Sequence, residues 1–494
     1  MGNKSKKTKS IIGIALIILI GVVVWSMIDT RSKWKHQELG IAEYGQGNYK
    51  NAIKHFTSGI ASNPGNASLY NNRGLAYFKL KEYKKALSDY DKALELNTDF
   101  AVAYCNRGLA HFKSTSVPGT TEKDQIYNKA IIDFTKAIEL DPKQIVDAYY
   151  NRGLTYNQSI HYYRKPFTDE VEGTYQKALS DFDRTLALDP GYALAFAGKG
   201  NAYYRHGDWN TAEEEYNKAI ELKDKIVEKW GKNSLAGVFS SRARNYIALN
   251  ELEKSGSDYE KVLELDPRST APSGHGASVW FQLKHYDKLI EAYNKIIDLI
   301  ENDSEFKNFS GIGRSYAGRA KTYYLLGQYD KAIADYHKAL SSGSAEGHGY
   351  SITEVHRYLG KTYLSTGKRQ AAENELEKAI KLYGDKTDSK IKRVASGGYT
   401  GRGACWIDLE EYENAISDFE NALVLNTPFD AQKDRGYAEA HKNLGLVYWK
   451  MGQMEKANEY LNKAAGLFED SGKKYQAKEL KEALKTGDVK DLFS

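Results

Sequence analysis

Cysteine is nearly absent: Cys105 and Cys405, 300 positions apart, are the only two in 494 residues. Neither a disulfide framework nor a zinc-ligand spacing can be built from them. Proline is scarce, with eight residues, which leaves long stretches free to be helical. An excess of one charge is missing too. Seven of the 70 basic residues and one of the 65 acids (Asp29) lie in residues 1–35, so the remainder carries 63 against 64. A nucleic-acid binder concentrates positive charge on its folded part, and this balance argues against that class. Reaction machinery is also missing: no His-Glu-x-x-His, Walker loop or nucleophile elbow occurs. The glycine-rich stretches "GIG" (311–313) and "GGYTGRG" (397–403) follow no strand and read as loops. Gly274-His275-Gly276 and Gly347-His348-Gly349 have no Cys or acid at ligand spacing. Neither a metal nor a cofactor is expected.

What is present begins with one long apolar run. A basic segment, residues 1–10, precedes "IIGIALIILIGVVVWSMI" at 11–28. As a helix, these eighteen residues would span about 27 Å, close to the thickness of a bilayer core. A cleaved signal peptide would want a small-x-small site, and "VVVWSMIDT" (22–30) offers no convincing one. The reading is a single-pass signal-anchor helix, with 29–32 as a short linker. Four Lys/Arg before the run and three after it lean toward an N-in, C-out orientation.

The rest of the chain repeats itself. From Leu39, "LGIAEYGQGNYKNAIKHFTSGIASNPG" aligns with "RGLAYFKLKEYKKALSDYDKALELN" at an offset of 34. A residue that is almost always small recurs at Ala52, Ala86, Ala130, Ala178, Ala212, Ser255, Leu289 (the exception), Ala332, Ala372, Ala415 and Ala457. Four residues later stand Phe56, Tyr90, Phe134, Phe182, Tyr216, Tyr259, Tyr293, Tyr336, Leu376, Phe419 and Leu461. Two antiparallel helices need this combination: small residues admit a close approach, and the aromatic fills the gap. Pro64, Pro142, Pro190 and Pro267 then stand where a second helix must stop. The pattern resembles the tetratricopeptide repeat (TPR) family, with leucine-glycine-x-x-tyrosine in a first helix, alanine-x-x-x-phenylalanine in a second and a closing proline. That resemblance implies an all-α superhelical solenoid of about eleven helix-turn-helix repeats. Repeats 1–5 fall in 33–226, repeats 6–8 in 236–346, repeats 9–11 in 353–471, and a capping helix and tail in 472–494.

Within the frame, "NRG" recurs at 72–74, 106–108 and 151–153. The residue before the first-helix glycine or its equivalent is basic in seven repeats: Arg73, Arg107, Arg152, Lys199, Arg242, Arg319 and Arg402. The residue before the second-helix aromatic is acidic in the same seven: Asp89, Asp133, Asp181, Glu215, Asp258, Asp335 and Asp418. In the other four repeats the pairs are Leu39/His55, Gly276/Ala292, Leu359/Glu375 and Leu444/Tyr460. Only one of those keeps the acid. Presence and absence move together, as they would if the two side chains clasp across the helix pair. The stripe is then neutralised within the chain and is no phosphate track.

Asparagine stands two before the glycine at Asn72, Asn106, Asn151 and Asn443. The TPR resemblance implies that this place faces the concave surface, where an asparagine ladder can hold a peptide backbone. An amide donates and accepts at once, which suits an extended chain of any sequence. The competing reading has each Asn linking adjacent helices. Leu75, Leu109 and Leu154, with Phe78, Phe112 and Tyr204, would add an apolar-aromatic strip to the groove, or pack on the next helix. The carboxylate clamp of chaperone-binding TPRs is not matched, since its places hold Gln37, Ile41, Asn72, Val102 and Asn106. Insertions near 114–123 and 157–173 join first to second helices in repeats three and four. The second carries Tyr163 and Arg164, a composition suited to partner contact, although a spacer would read the same.

The expected function is a membrane-anchored, non-catalytic TPR scaffold that binds partner proteins or extended peptides in its concave groove. The alternative is a membrane receptor or co-chaperone delivering clients to a translocation or assembly machine. An anchor followed by such repeats resembles the layout of mitochondrial outer-membrane import receptors.

Overall fold

The computed structural model describes residues 35–114, 120–143, 145–160, 169–266, 269, 272–302, 312–342, 352–387, 392–425, 435–471 and 473–487. Residues 1–10, the apolar run 11–28, the linker 29–32, Tyr163 and Arg164 lie outside them. Among the described residues there is no strand, and no helix is long and apolar enough to cross a membrane.

The chain forms two units, Met1–Lys261 and Val262–Ser494, each an α-helical solenoid of successive hairpins. In the first unit, helical residues 35–45 precede Tyr49–Ser62. The following pairs are Ala67–Lys79 with Tyr83–Leu96, Ala101–Lys113 with Thr120–Leu140, and Val146–Ser159 with Asp169–Leu188. Ala193–His206 then pairs with Trp209–Glu221. An additional helix, Lys223–Trp230, comes before Lys232–Ala248, whose partner begins at Leu252. In the second unit Ala277–Gln282 pairs with Tyr286–Asn302, and Ile312–Leu325 with Tyr329–Ser341. Ile352–Ser365 with Arg369–Thr387, Lys392–Asp408 with Tyr412–Leu425, and Arg435–Lys450 with Met454–Asp470 complete it. Helix Lys474–Thr486 lays Ala477, Leu480 and Ala483 against Ala464 and Phe468.

Each hairpin closes over the small and aromatic positions of its second helix. Tyr90 and Phe134 are fully buried, and a Cβ added to Gly74 would come within 2.7 Å of the Tyr90 ring. Glycine there is a packing requirement, because any side chain would collide with an aromatic that has nowhere to go. The turns share one device. Wherever first and second helix are joined without an insertion, a left-handed residue ends the first: Gly47, Lys81, Gly207, Asn250, Lys284, Gly327, Gly367, Glu410 and Gly452. The next N–H bonds back five residues, as in Glu82 N–H to Tyr77 O at 3.0 Å and Glu411 N–H to Trp406 O at 2.9 Å. This satisfies the open carbonyls and reverses the chain in three residues. At the other end, second helices stop at Ser62, Leu140 and Leu188, each two residues before a proline.

Two expectations are corrected. "GGYTGRG" (397–403) is no loop: it lies inside helix Lys392–Asp408, and the start of helix Ile312–Leu325 takes in most of "GIG". The glycines serve contact, since a Cβ on Gly401 would meet the Tyr383 ring and one on Gly403 the Phe419 ring. Parts of both insertions are helical as well. The partner helices begin early, at Thr120 and Asp169, and reach 21 and 20 residues against 14 for Tyr83–Leu96.

Candidate functional site

All seven basic–acidic pairs meet. Arg107 donates from Nε to Asp133 Oδ2 at 2.9 Å and from Nη2 to Oδ1 at 2.6 Å. Arg73, Arg152, Arg242, Arg319 and Arg402 repeat the fork on their aspartates at 2.6–2.8 Å. Lys199 lacks a fork; it stands 3.6 Å from Glu215 and 2.9 Å from Asp183. The carboxylates are buried, Asp133 to 3% exposure. The hydrogen bond to Asp89 lifts the Arg73 guanidinium above its ordinary pKa. In the ninth repeat, which keeps the acid without the arginine, His356 Nδ1 is 2.6 Å from Glu375 and Lys378 is also 2.6 Å away. Burial alone would raise Glu375, but these two neighbours hold it below its ordinary value.

Sequence reasoning missed what the third guanidinium nitrogen does. It reaches the preceding repeat, at the residue after that repeat's aromatic. Arg73 Nη1 donates to Thr57 at 3.2 Å, Arg107 to Asp91 at 2.8 Å and Arg152 to Thr135 at 3.0 Å. Arg242 and Arg319 donate to Asn217 and Asn294, both at 2.6 Å. Lys199 uses Asp183, the equivalent residue. Six of the seven basic side chains thus tie their own hairpin together and fasten it to the one before. A row of Thr, Asp and Asn one past the aromatic was the available signal.

With the arginines committed, the asparagines are the polar groups left beside them. Asn72 and Asn106 are half-buried and joined through Asn71, which is 3% exposed. Asn106 Nδ2 donates to Asn71 Oδ1 at 2.9 Å, and Asn71 Nδ2 donates to Asn72 Oδ1 at 3.3 Å. One amide chain therefore links helices Ala67–Lys79 and Ala101–Lys113. It leaves the Asn72 donor and the Asn106 acceptor without a partner among the described residues. The Asn151 and Asn443 side chains are half-buried and make no hydrogen bond among them. Asn443 belongs to the second unit.

The apolar candidates are half-buried too. Leu75 and Phe78 pack beside Ala86, Tyr90 and Ala110, and Phe78 meets Tyr83 edge-on at 5.5 Å. Leu109 and Phe112 lie against the Phe134 cluster, and Leu154 against Phe182. Tyr204 is half-buried on helix Ala193–His206. These side chains build the hairpins while keeping part of their surface open. More exposed apolar surface comes from Ile41 (51%) and Val102 (44%). Nothing in this region resembles a reaction centre. The two thiols are held up at about 12, chiefly by burial, and the described residues contain no cluster of three metal-ligating side chains.

Hairpins of this size, with small–aromatic contacts and a clasp repeated in register, define a helical-repeat protein. Sequence profiles described as "Tetratricopeptide repeat" or "TPR repeat" match residues 40–81, 67–100, 172–225, 236–269, 312–385 and 398–470. The chain belongs to the tetratricopeptide repeat family.

Among curated proteins, it is 26% identical over 158 residues to Protein KINESIN LIGHT CHAIN-RELATED 2 of Arabidopsis thaliana, covering 31% of this chain and 24% of that one. It is 27% identical over 252 residues to the Hsp70-Hsp90 organizing protein of Triticum aestivum, covering 45% and 39%. The chain thus spans well under half the length of these relatives. Among solved structures, yeast Tom70 aligns over 93% of this chain and 96% of its own, at 16% identity and a TM-score of 0.38.

Proposed function

We propose that the chain is a non-catalytic TPR scaffold that binds partner proteins or extended peptides along the first helices of repeats two to five. Asn72, Asn106 and Asn151 contact the peptide backbone, with Leu75, Leu109, Leu154, Phe78, Phe112 and Tyr204 beside them. The supporting observation is the division of labour within "NRG". The glycine is consumed by packing and the arginine by its clasp, while the amides keep unspent donors and acceptors. Amides in a row with apolar neighbours match the alternating needs of an extended chain. Asn443, Tyr163 and Arg164 are secondary contact candidates. Residues 11–28 anchor the array in a membrane as a single pass, N-in and C-out. A co-chaperone or receptor role, delivering client proteins to a translocation or assembly machine, is the second reading, favoured by the likeness to the Hsp70-Hsp90 organizing protein.

The test is capture of partners by photo-crosslinkers placed at Leu75 and Leu109 in the full chain. Changing Asn72, Asn106 and Asn151 together to Ala is expected to abolish capture and leave the unfolding transition in place. Undiminished capture by that triple variant would sink the groove assignment.

A further inference from the structure

Repeat four adds a carboxylate without a counter-charge to the amide row. The places four residues before Asn72, Asn106 and Asn151 hold Ser68, Val102 and Asp147. One helix turn sets each of them on the same face as its asparagine. Only Asp147 is charged. It is exposed, in the first turn of helix Val146–Ser159, and no basic side chain pairs with it among the described residues.

An acid in a first turn suits the helix dipole wherever it stands. What sets Asp147 apart is a tether from the next repeat. The Tyr192 hydroxyl donates to its Oδ1 at 2.7 Å. Tyr192 is 3% exposed, and its ring centre lies 4.9 Å from those of both Tyr150 and Trp230. Trp230 ends the additional helix Lys223–Trp230, and Lys229 of the same helix stands 4.6 Å over the Tyr192 ring. The carboxylate that Lys229 pairs with is Asp189, at 3.4 Å. The helix that interrupts the repeat spacing thus braces the phenol that aims Asp147.

The negative charge is felt on the neighbouring first helix. Cys105, beside Asn106 on helix Ala101–Lys113, is pushed up to about 12 by burial and then by Asp147. Burial first and Asp147 second also raise Tyr150 and Tyr192. Asp147 therefore lies close to the asparagine places of both repeats three and four, with Oδ2 unpartnered among the described residues.

We propose that Asp147 receives a lysine or arginine side chain of the peptide bound along the amide row, which makes extended segments mixing basic and apolar residues the partner class. This rests on the groove assignment above. Asn106 and Asn151 hold the backbone, Leu109 and Leu154 take apolar side chains, and the cation meets Oδ2. A carboxylate already fixed by a hydroxyl needs little further ordering when the cation arrives.

The test uses the full chain and three labelled peptides, Gly-Leu-Ser-Leu-X-Leu-Ser-Leu-Gly, with Lys, Gln or Glu at X. Fluorescence anisotropy at low salt is expected to show the Lys peptide binding about fivefold more tightly than the Gln peptide, with the Glu peptide weakest. Asp147→Asn keeps the shape and removes the charge, so Lys and Gln peptides should then bind equally to a chain that is still folded by circular dichroism. Asp147→Lys should reverse the order and favour the Glu peptide. Equal binding of all three peptides to the unmodified chain would overturn this assignment alone, as would a Lys preference that survives Asp147→Asn. Failure of all three to bind would overturn the groove assignment and this one with it. The same holds if the Gln peptide binds unchanged when Asn72, Asn106 and Asn151 are all Ala.

Discussion

Replacing Arg107 by Leu should destabilise its hairpin far more than replacing Arg107 and Asp133 together. The single change removes two short bonds, at 2.9 and 2.6 Å, from a carboxylate whose side chain is 4% exposed. At that depth Asp133 loses its partner and stays ionised, or takes up a proton, at a cost. Breaking one side of such a pair costs about 3 kcal/mol, whereas exchanging both partners for apolar groups is near neutral. The lost bond to Asp91 adds little, about 0.5 kcal/mol or less, because that carboxylate is 64% exposed. The double variant should therefore be about 3 kcal/mol more stable than Arg107→Leu. Repeat arrays unfold in sections, so a single global midpoint would blur the effect. Amide hydrogen exchange in Ala101–Lys113 and Thr120–Leu140 is the sharper assay, with urea unfolding beside it. Loss of protection in the double variant equal to that in Arg107→Leu would refute the clasp reasoning.

Two further outcomes follow from particular residues. Lys81 and Glu410 end their helices at φ 61° and 64°, where sister repeats place glycine; Lys81→Gly or Glu410→Gly should stabilise by about 0.5–1 kcal/mol, and a fall in the urea midpoint would contradict this. His441 is 2% exposed, neither ring nitrogen has a hydrogen-bond partner among the described residues, and burial, then the charge of Lys463, lowers its pKa to about 4. Between an ordinary value near 6.5 and that lowered one, the unfolded chain binds a proton that the folded chain refuses. The contribution is therefore present above about pH 6.5 and lost progressively as pH falls, by about 2 kcal/mol at pH 5. His441→Phe, beside Tyr437 and Tyr460, should flatten the dependence of the urea midpoint between pH 7 and 5; an unchanged slope would reject the assignment.

Legibility tracked the reach of each contact. The small–aromatic contacts and the clasps could be read beforehand because they join fixed places within one hairpin, so repetition wrote them out many times. Tyr90 against Gly74 and Arg73 against Asp89 are of this kind. "GGYTGRG" misled because glycine serves both turns and close packing. Only the position of Tyr383 shows which applies at Gly401. The amide row was half legible: the asparagines were visible, but Asn71, which joins two of them, lies off the repeated place.

By itself the sequence determined the repeat frame, the hairpins, the points where prolines end them and the ionic clasp. All of these depend on helical periodicity and on neighbours within one repeat. Tertiary structure decided how the repeats engage each other. It sent the third guanidinium nitrogen of Arg107 to Asp91 in the hairpin before. It also set Lys321, Arg357 and Asp408 around Tyr358 from three successive first helices. The physical reason is that contacts between hairpins depend on the angle at which one packs on the next. That angle comes from the summed volumes of many buried side chains, and no single position in the repeat records it.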